Sequence, residues 1–339
     1  MNQADLNVDL DYICSVIGVG TPMGSPVPVT GGLLHRMWRV ETQCGTLAVK
    51  VLNPEIISRP DAKQNYRISE KVAKIANDMG VPAVVAKTVG EDPWIESNGS
   101  YVMVFDWVDG GTLLPGECSF EHASRMGEIL FQIHSLDIVI PDLEPPTWSS
   151  PPEDTWNSLV EKARRSISYW EYMLKNLLPD VLKWSRLFQD AAIPLSQHLI
   201  ISHGDLDSKN VIWKNAQTPY VIDWESAGYV NPTLELIEVA LNWSRKQDGT
   251  SDKARFQAVI QSYVKAGGSL YGNVVDALYG TMGGMLGWLE YNMRRSIDED
   301  VFGSDERELA QREVKQTVCE LHKLSDGIVE YAGWIVDVE

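Results

Sequence analysis

The chain has few cysteines and no long apolar run, and these absences exclude several classes of protein. Four cysteines are spread over 339 residues, without the paired spacing of a zinc site. No apolar segment approaches the roughly 18 residues that span a bilayer, and the acidic first residues do not resemble a signal peptide. We therefore expect a cytoplasmic protein with free thiols and no association with a membrane.

Basic residues are also scarce. Lys and Arg total 29 against 47 Asp and Glu, which gives a net charge of −18, and most of the negative excess lies after residue 109. A surface of this charge repels phosphate backbones, so we expect no nucleic-acid partner. Apolar residues make up 44% of the chain and charged residues 22%, which is typical of a globular protein long enough for two lobes.

Hydrophobic patterning divides the chain into an N-terminal region rich in strands and a C-terminal region rich in helices. In the N-terminal region a single helix is predicted at 61–79, and strands at 27–30, 35–41, 46–52, 84–89 and 101–108. In the C-terminal region helices are predicted at 120–136, 155–178, 233–243, 252–266, 274–295 and from 306 onward. A small β insertion at 198–201, 211–213 and 220–222 interrupts these helices. The predicted fold class is α+β, with a small antiparallel-sheet lobe over residues 1–109 and a larger, mainly helical lobe over residues 110–339.

The β insertion carries two carboxylates and one amide at the ends of its strands. An apolar strand runs into His203-Gly204-Asp205, Asn210 follows five residues after Asp205, and a second strand ends at Asp223. Phosphoryl transfer from ATP needs one carboxylate that orients the acceptor hydroxyl and takes its proton, and oxygen ligands that hold Mg²⁺ on the phosphates. Asp205 fits the first role, and Asn210 and Asp223 fit the second.

These segments resemble the aminoglycoside phosphotransferase and choline kinase family, which has a bilobal protein-kinase-like fold. His203-Gly204-Asp205 is similar to the His-Gly-Asp motif of that family, and Asp223-Trp224-Glu225 is similar to its Asp-Trp-Glu-type triplet. The resemblance covers roughly residues 25–245. It implies an ATP- and Mg²⁺-dependent O-phosphotransferase acting on a small molecule, with GTP open as an alternative donor. The second lobe lacks an Ala-Pro-Glu motif, which argues against a protein acceptor.

The first lobe contains candidates for the phosphate-binding groups that this resemblance implies. Lys50 lies on an apolar strand and Glu70 on the predicted helix. We expect an ion pair between them that keeps Lys50 charged and aimed at the α- and β-phosphates. Gly31 and Gly32 stand where a phosphate-covering turn belongs, although the GxGxxG pattern is absent and the two glycines would also suit a hairpin turn.

The segment Tyr101–Gly110 is the predicted crossover between the lobes. In proteins of this family, adenine pairs with backbone groups of the crossover. We expect the carbonyl of Asp106 and the N–H of Val108 to bind adenine, with Phe105 lining the pocket behind the base. The alternative is that the aromatic residues of this segment only pack in the core.

The acceptor is less defined by the sequence. The candidate acceptor-binding residues are aromatic or acidic: Glu225, Trp243, Trp288, Glu290 and Tyr291. Aromatic faces beside carboxylates can hold an ammonium group, which favours a cationic acceptor such as an aminoglycoside or an amino alcohol. Two neighbouring arginines would instead suit an anionic or neutral acceptor, so sugars and nucleosides stay open, and ordinary helical core packing is a further alternative.

Two other functions are compatible with the same residues. One is a non-catalytic ATP-binding protein on the same fold. The other is a metal-dependent hydrolase that uses His203, Asp205 and Asp223 as ligands. ATP with Mg²⁺ should stabilise an enzyme or a binding protein against heat, whereas a hydrolase should ignore ATP and respond to a transition metal.

Overall fold

Two compact units, interleaved along the chain, make up the structure. The computed structural model describes residues 6–29, 35–141, 143–166, 171–297 and 303–336. The first unit comprises residues 1–114, 132–143 and 201–228, and the second comprises 115–131, 144–200 and 229–339. Most of the β insertion, residues 201–228, thus belongs to the same unit as the N-terminal sheet, and the lobe boundary at residue 109 stays a prediction.

A five-stranded antiparallel sheet forms the frame of the first unit. Its strands are β1 (Pro22–Val29), β2 (Arg36–Thr42), β3 (Gly45–Val51), β4 (Ile95–Ser97) and β5 (Ser100–Asp106), in the spatial order β1-β2-β3-β5-β4. The register places Lys50 opposite Met103 and Ala48 opposite Phe105. Because side chains alternate across a strand, these four residues lie on the same face of the sheet.

Both faces of the sheet carry a hydrophobic core. On one face the sheet packs against α1 (Leu10–Ile17), and on the other against α2 (Pro54–Ile57) and α3 (Ala62–Asp78). Helix α1 is not predicted by the sequence pattern, because an eight-residue helix is too short to show the helical period clearly. Its ends are nevertheless encoded, since Asp9 accepts the N–H of Tyr12 and Gly18 closes the helix with a φ of 72°.

The β insertion consists of short strands around two single 3₁₀ turns. The strands are β6 (Ile200–Ser202), β7 (Val211–Asn215), β8 (Thr218–Val221) and β9 (Gly228–Val230), and the turns are Ser208–Asn210 and Trp224–Ser226. β7 and β8 form an antiparallel hairpin. The N–H of Val221 donates to the carbonyl of Pro82, and its carbonyl accepts from Val84, both at 2.8 Å. These bonds connect the hairpin to the segment that follows α3.

The strand predicted at 84–89 is wrong. This segment is extended and bonds to β8 through Val84 and to β5 through Lys87, whose N–H donates to the carbonyl of Val104 at 2.7 Å. Such single hydrogen bonds do not build a ladder. The segment is only partly buried, with Ala86 at 6% and Val89 at 39% exposed, so its β-branched run alone misled the prediction of a strand.

Helices form the second unit. They are α4 (Phe120–His134), whose last residues belong to the first unit, α5 (Glu153–Ser166), α6 (Glu171–Leu195), α7 (Pro232–Trp243), α8 (Lys253–Ala266), α9 (Val274–Ile297) and α10 (Ser304–Val336). α9 packs against α6, α7 and α10. The largest fully buried side chains of this unit are Trp156, Trp184, Trp243 and Phe256. In the ranges that the structure describes, no helix has the length and apolarity to cross a membrane.

The helix predicted at 155–178 is wrong in extent. The described part of the predicted range falls on α5 (Glu153–Ser166) and α6 (Glu171–Leu195), and α6 continues through Pro179 to Leu195, well beyond the predicted end. The prediction stopped before Pro179 because proline removes a helical hydrogen bond and usually ends a helix. Here the packing of α6 against α9 outweighs that cost.

Candidate active site

Lys50 projects from β3, and its ammonium contacts two carboxylates of the Asp-Trp-Glu turn. Nζ lies 2.9 Å from Asp223 Oδ1 and also contacts Glu225 Oε1. The lysine side chain is only 9% exposed. Burial alone would lower the pKa of Lys50, but the charges of Asp223 and Glu225 outweigh it and raise the pKa. The site therefore holds a charged, immobilised ammonium group.

Asp205 and Asn210 are bonded to each other in the loop between β6 and β7. Asn210 Nδ2 donates to the backbone carbonyl and to Oδ2 of Asp205, both at 2.8 Å. Burial raises the pKa of Asp205, more than Lys209 and Asn210 lower it. The carboxylate remains 34% exposed, so it combines increased basicity with access for an acceptor hydroxyl.

Lys209 in this loop is a further residue of the site that was not predicted from the sequence. Its Nζ lies 3.3 Å from Asp205 Oδ2 and 3.3 Å from Asp207 Oδ2. Burial would lower the pKa of Lys209, but the charges of Asp207 and Asp205 raise it. The available signal was its position four residues after Asp205, within the segment already identified.

His203 and Gly204 connect Asp205 to the turn that carries Asp223. The N–H of Asp205 donates to His203 Nδ1 at 3.2 Å, so Nε2 carries the proton and donates to the carbonyl of Ile222 at 3.1 Å. Gly204 has a φ of 76°, and a Cβ there would lie 2.4 Å from the carbonyl oxygen of Ser226. Only glycine permits this close approach of the two backbone segments.

The hydrogen bonds and burial of His203 do not fit the alternative of a metal-dependent hydrolase. Both ring nitrogens are bonded to backbone groups, and the side chain is fully buried. Neither nitrogen is therefore available as a metal ligand. Within the described ranges, His, Cys, Asp and Glu side chains do not form any group of three or more with metal-binding geometry. Nothing in the structure supports a hydrolase of that kind.

Asn210 and Asp223 lie side by side at one end of the β7–β8 hairpin. The N–H of Ile222 donates to the carbonyl of Asn210 at 2.9 Å, and Asp223 follows with a φ of 60°. Because Asn210 Nδ2 is committed to Asp205, its Oδ1 is the atom that remains for a metal. The Asp223 side chain is 43% exposed. An amide oxygen and a carboxylate are ligands that suit Mg²⁺, so these residues fit that ion.

Glu70 does not make the ion pair predicted with Lys50. Among the residues that the structure describes, the ion-pair partners of Lys50 are Asp223 and Glu225. Glu70 lies on α3 and accepts the N–H of Ala86 at 2.8 Å. Burial raises its pKa to about 7, although the hydrogen bond from Ala86 and the charge of Lys50 act in the opposite direction.

Two further residues, His35 and Tyr66, contact Glu225 and were not identified from the sequence. Glu225 Oε2 lies 3.2 Å from His35 Nε2 and 3.4 Å from the Tyr66 hydroxyl. Burial would raise the pKa of Glu225, but the hydrogen bond from His35 and the charge of Lys50 lower it to about 2. The one sequence signal was that Tyr66 precedes Glu70 by four residues and so shares its helical face.

The crossover residues lie at the end of β5. The N–H of Trp107 donates to the carbonyl of Thr46 at 3.0 Å. In an antiparallel ladder the backbone groups of the preceding residue, Asp106, therefore turn away from β3. The Asp106 carboxylate forms an ion pair with Lys87 at 2.8 Å. Phe105 is half-buried beside the core below the sheet. The adenine-binding roles of Phe105, Asp106 and Val108 stay predictions.

The remaining predicted residues lie elsewhere. Gly31 and Gly32 fall outside the described residues. In the second unit, Trp288 Nε1 donates to Glu313 at 3.2 Å, and the ring of Trp288 packs on Tyr291 with centroids 5.6 Å apart. Glu290 forms an ion pair with Arg294 at 2.6 Å. Trp243 is fully buried in the helical core, so it offers no surface to a ligand in this structure.

The buried Lys50 contacts the Asp-Trp-Glu turn, and the N–H of Ile222 bonds the residue before this turn to Asn210, an arrangement that fits a kinase-like phosphotransferase. The chain belongs to the phosphotransferase enzyme family, whose model matches residues 26–271. No curated protein sequence matches the chain closely enough to count as a relative. The family match confirms the predicted family resemblance and the prediction of a phosphotransferase enzyme, and the fold has the predicted α+β kinase-like architecture.

Solved structures of several small-molecule kinases share the fold. A spectinomycin phosphotransferase, solved with ADP and spectinomycin, has a TM-score of 0.68 at 12% identity, over 94% of this chain and 99% of that chain. A macrolide 2′-phosphotransferase from Brachybacterium faecium has a TM-score of 0.55 at 15% identity, over 90% and 96%. A choline kinase from Cryptosporidium parvum has a TM-score of 0.57 at 12% identity, over 92% and 93%. At these identities the likeness establishes the fold alone.

Proposed function

We propose that the chain is an ATP- and Mg²⁺-dependent O-phosphotransferase that moves the γ-phosphoryl group to a hydroxyl of a small cationic molecule. The observation that carries this proposal is the contact of the buried Lys50 with Asp223, at 2.9 Å. This contact joins the lysine of β3 to Asp223, which follows β8 of the hairpin. Asn210, which precedes β7 of the same hairpin, is bonded to Asp205.

Each residue of this group has a distinct task. Lys50 binds the α- and β-phosphates, and Asp223 with Asn210 Oδ1 holds Mg²⁺. Bound Mg²⁺ supplies positive charge that neutralises the phosphate oxygens. Asp205 orients the acceptor hydroxyl and takes its proton, a role that its raised pKa and partial exposure support.

The nucleotide is held by the first unit. Phe105 lines the pocket behind adenine, and the carbonyl of Asp106 and the N–H of Val108 pair with the base. The orientation of Asp106 away from β3 supports this assignment. As predicted from their position in the sequence, Gly31 and Gly32 would cover the phosphates through backbone N–H groups.

The acceptor is a cation such as an aminoglycoside or an amino alcohol. The net charge of −18 favours the approach of a positively charged molecule. On α9, Trp288 and Tyr291 pack together, and aromatic faces of this kind can hold ammonium groups. Glu290 lies on the same helix and forms an ion pair with Arg294. Solved relatives in fold include a spectinomycin phosphotransferase and a choline kinase, and choline is itself such a cation.

The decisive experiment is a coupled ADP-release screen over aminoglycosides, amino alcohols, sugars and nucleosides, with ATP and Mg²⁺. The expected result is acceptor-dependent ADP release, with ³¹P NMR showing a new phosphomonoester of a cationic acceptor. Release of inorganic phosphate alone would indicate hydrolysis. A rise in melting temperature with ATP and Mg²⁺, but no turnover on any acceptor, would indicate a binding protein and contradict the proposal.

A further inference from the structure

The Asp-Trp-Glu turn presents two carboxylates to Lys50, and the proposed chemistry accounts for only one of them. If Asp223 holds Mg²⁺, Glu225 is the carboxylate left to keep Lys50 charged and in place. Glu70, to which the family resemblance assigns that task, is bonded to the N–H of Ala86 instead. The role of the helix glutamate has thus passed to a residue of the turn.

Both carboxylate oxygens of Glu225 are occupied by buried partners. Oε1 contacts Lys50, while Oε2 lies 3.2 Å from His35 Nε2 and 3.4 Å from the Tyr66 hydroxyl. The side chain of His35 is 7% exposed, and Tyr66 is 5% exposed. A rotation of the carboxylate would leave these donors buried without an acceptor, so the two residues fix its orientation.

His35 and Tyr66 are themselves held in place. The N–H of Asn53 donates to His35 Nδ1 at 3.0 Å, so Nε2 carries the proton and serves as the donor toward Glu225. The Tyr66 hydroxyl lies 3.2 Å from the same Nε2, and the two rings meet edge to face. Helix α3 therefore reaches the turn through Tyr66, about one helical turn before Glu70.

We infer that His35 and Tyr66 are positioning residues for phosphoryl transfer, which hold the Glu225 carboxylate so that it aims Lys50 at the nucleotide in place of Glu70. Neither residue touches the reacting groups. Their effect passes through Glu225 to the ammonium of Lys50. This inference rests on the proposed nucleotide-binding role of Lys50.

The test removes single hydroxyl groups. Tyr66→Phe is compared with Tyr101→Phe, whose hydroxyl also has a side-chain partner in the same unit, since it accepts a hydrogen bond from Lys63 Nζ at 2.8 Å. With ATP and the acceptor found by the screen, Tyr66→Phe should lower kcat about tenfold, because a hydrogen bond to a charged group is lost. Its KM for ATP should stay within about threefold. Tyr101→Phe should leave both constants unchanged.

A double-mutant cycle separates positioning from structural support. In a Glu225→Gln background, Tyr66→Phe should have little further effect on kcat, because the charged group that it positions is gone. An equal loss of kcat in both backgrounds would overturn the inference. A lower melting temperature for Tyr66→Phe with unchanged kcat would also overturn it, since that pattern indicates a structural role alone.

Two variants of His35 test whether a conservative replacement preserves kcat. His35→Gln keeps a donor and an acceptor and should retain more kcat than His35→Leu, at similar melting temperatures. Equal kcat for the two variants would count against the inference. Failure of the proposed function is recognised separately, because the wild-type chain would then show no ATP-dependent transfer to any acceptor, whether or not it binds the nucleotide.

Discussion

The two units of the molecule place their buried charged residues differently. In the first unit Lys50 and Glu70, each 7% exposed, lie close enough for their charges to interact. In the second unit the buried charged residues Glu235 and Arg295 lie on two different helices, α7 and α9. Ion pairs of that unit such as Glu290–Arg294 lie nearer to the surface. Buried charges keep a fixed geometry because any displacement leaves them unsatisfied. The first unit should therefore respond strongly to isosteric changes, and the second should tolerate them.

The largest effect is expected for Asp205→Asn. The amide keeps the shape of the carboxylate but cannot take the hydroxyl proton, so kcat should fall about 10³-fold, or roughly 4 kcal/mol. Nucleotide affinity, measured by calorimetry, should change less than threefold because Lys50 and Asp223 are untouched. Substantial residual turnover would remove Asp205 from the role of base.

Asp207→Asn is the matched control for this change. Asp207 lies two residues away and also contacts Lys209, at 3.3 Å, but it has no proposed task in transfer. Its kcat should stay within about fivefold of wild type. A loss as large as that of Asp205→Asn would show that the loop needs both carboxylates.

The next effect concerns stability and pH. Because the pKa of Glu70 is raised to about 7, the folded chain binds a proton there that the unfolded chain releases near the ordinary value of 4.5. This extra proton stabilises the folded chain fully below pH 4.5. The stabilisation is lost as the pH rises toward 7, because the buried carboxylate of Glu70 becomes charged there. Glu70→Gln should therefore gain roughly 3 kcal/mol relative to wild type between pH 4.5 and pH 8.

Urea unfolding of nucleotide-free protein at several pH values measures this difference. Glu96→Gln, on an exposed position of β4, is the control and should change with pH much less than Glu70→Gln. A difference between Glu70→Gln and wild type that does not vary with pH would show that folding does not raise the pKa of Glu70.

A smaller effect is expected for Gly204→Ala. The new Cβ would meet the Ser226 carbonyl at 2.4 Å, and a φ of 76° is strained for alanine, so we expect a loss of about 2 kcal/mol. Gly284→Ala in α9 meets no atom within 4 Å and should gain about 0.5–1 kcal/mol. Thermal unfolding of both variants compares the two units directly. Equal shifts in melting temperature for the two variants would contradict the expected difference between the units.

Much of the site could be predicted because its residues follow strands at short spacings. Asp205, Asn210 and Asp223 lie within one hairpin and its entry, where strand direction alone brings them together. The partner of Lys50 could not be predicted, because Glu70 and Glu225 both carry a carboxylate and the sequence does not show which of them lies near the lysine. The choice depends on His35 and Tyr66, which are brought to Glu225 only by tertiary packing.

The fold shows the same division between local and tertiary signals. The α+β plan and most helices follow from periodicity, whereas the missed or misplaced elements depend on packing. Helix α1 is marginal alone and is stabilised by burying Ile13 and Cys14 on the sheet. Helix α6 continues through Pro179 because it packs against α9, which no local pattern reveals.

The smallest effect is expected at the surface of the second unit. Glu290 pairs with Arg294 in an i,i+4 arrangement, and such pairs contribute about 0.5 kcal/mol. Glu290→Gln should therefore barely change stability, but it should raise the KM of a cationic acceptor several-fold if the carboxylate binds the ammonium group. Glu161→Gln is the matched control, since Glu161 pairs with Arg165 in the same arrangement on α5. If both variants are similarly stable and only Glu290→Gln changes the KM, this segment of α9 binds the acceptor. If the KM is unchanged, the aromatic residues of the segment serve only to pack the helix.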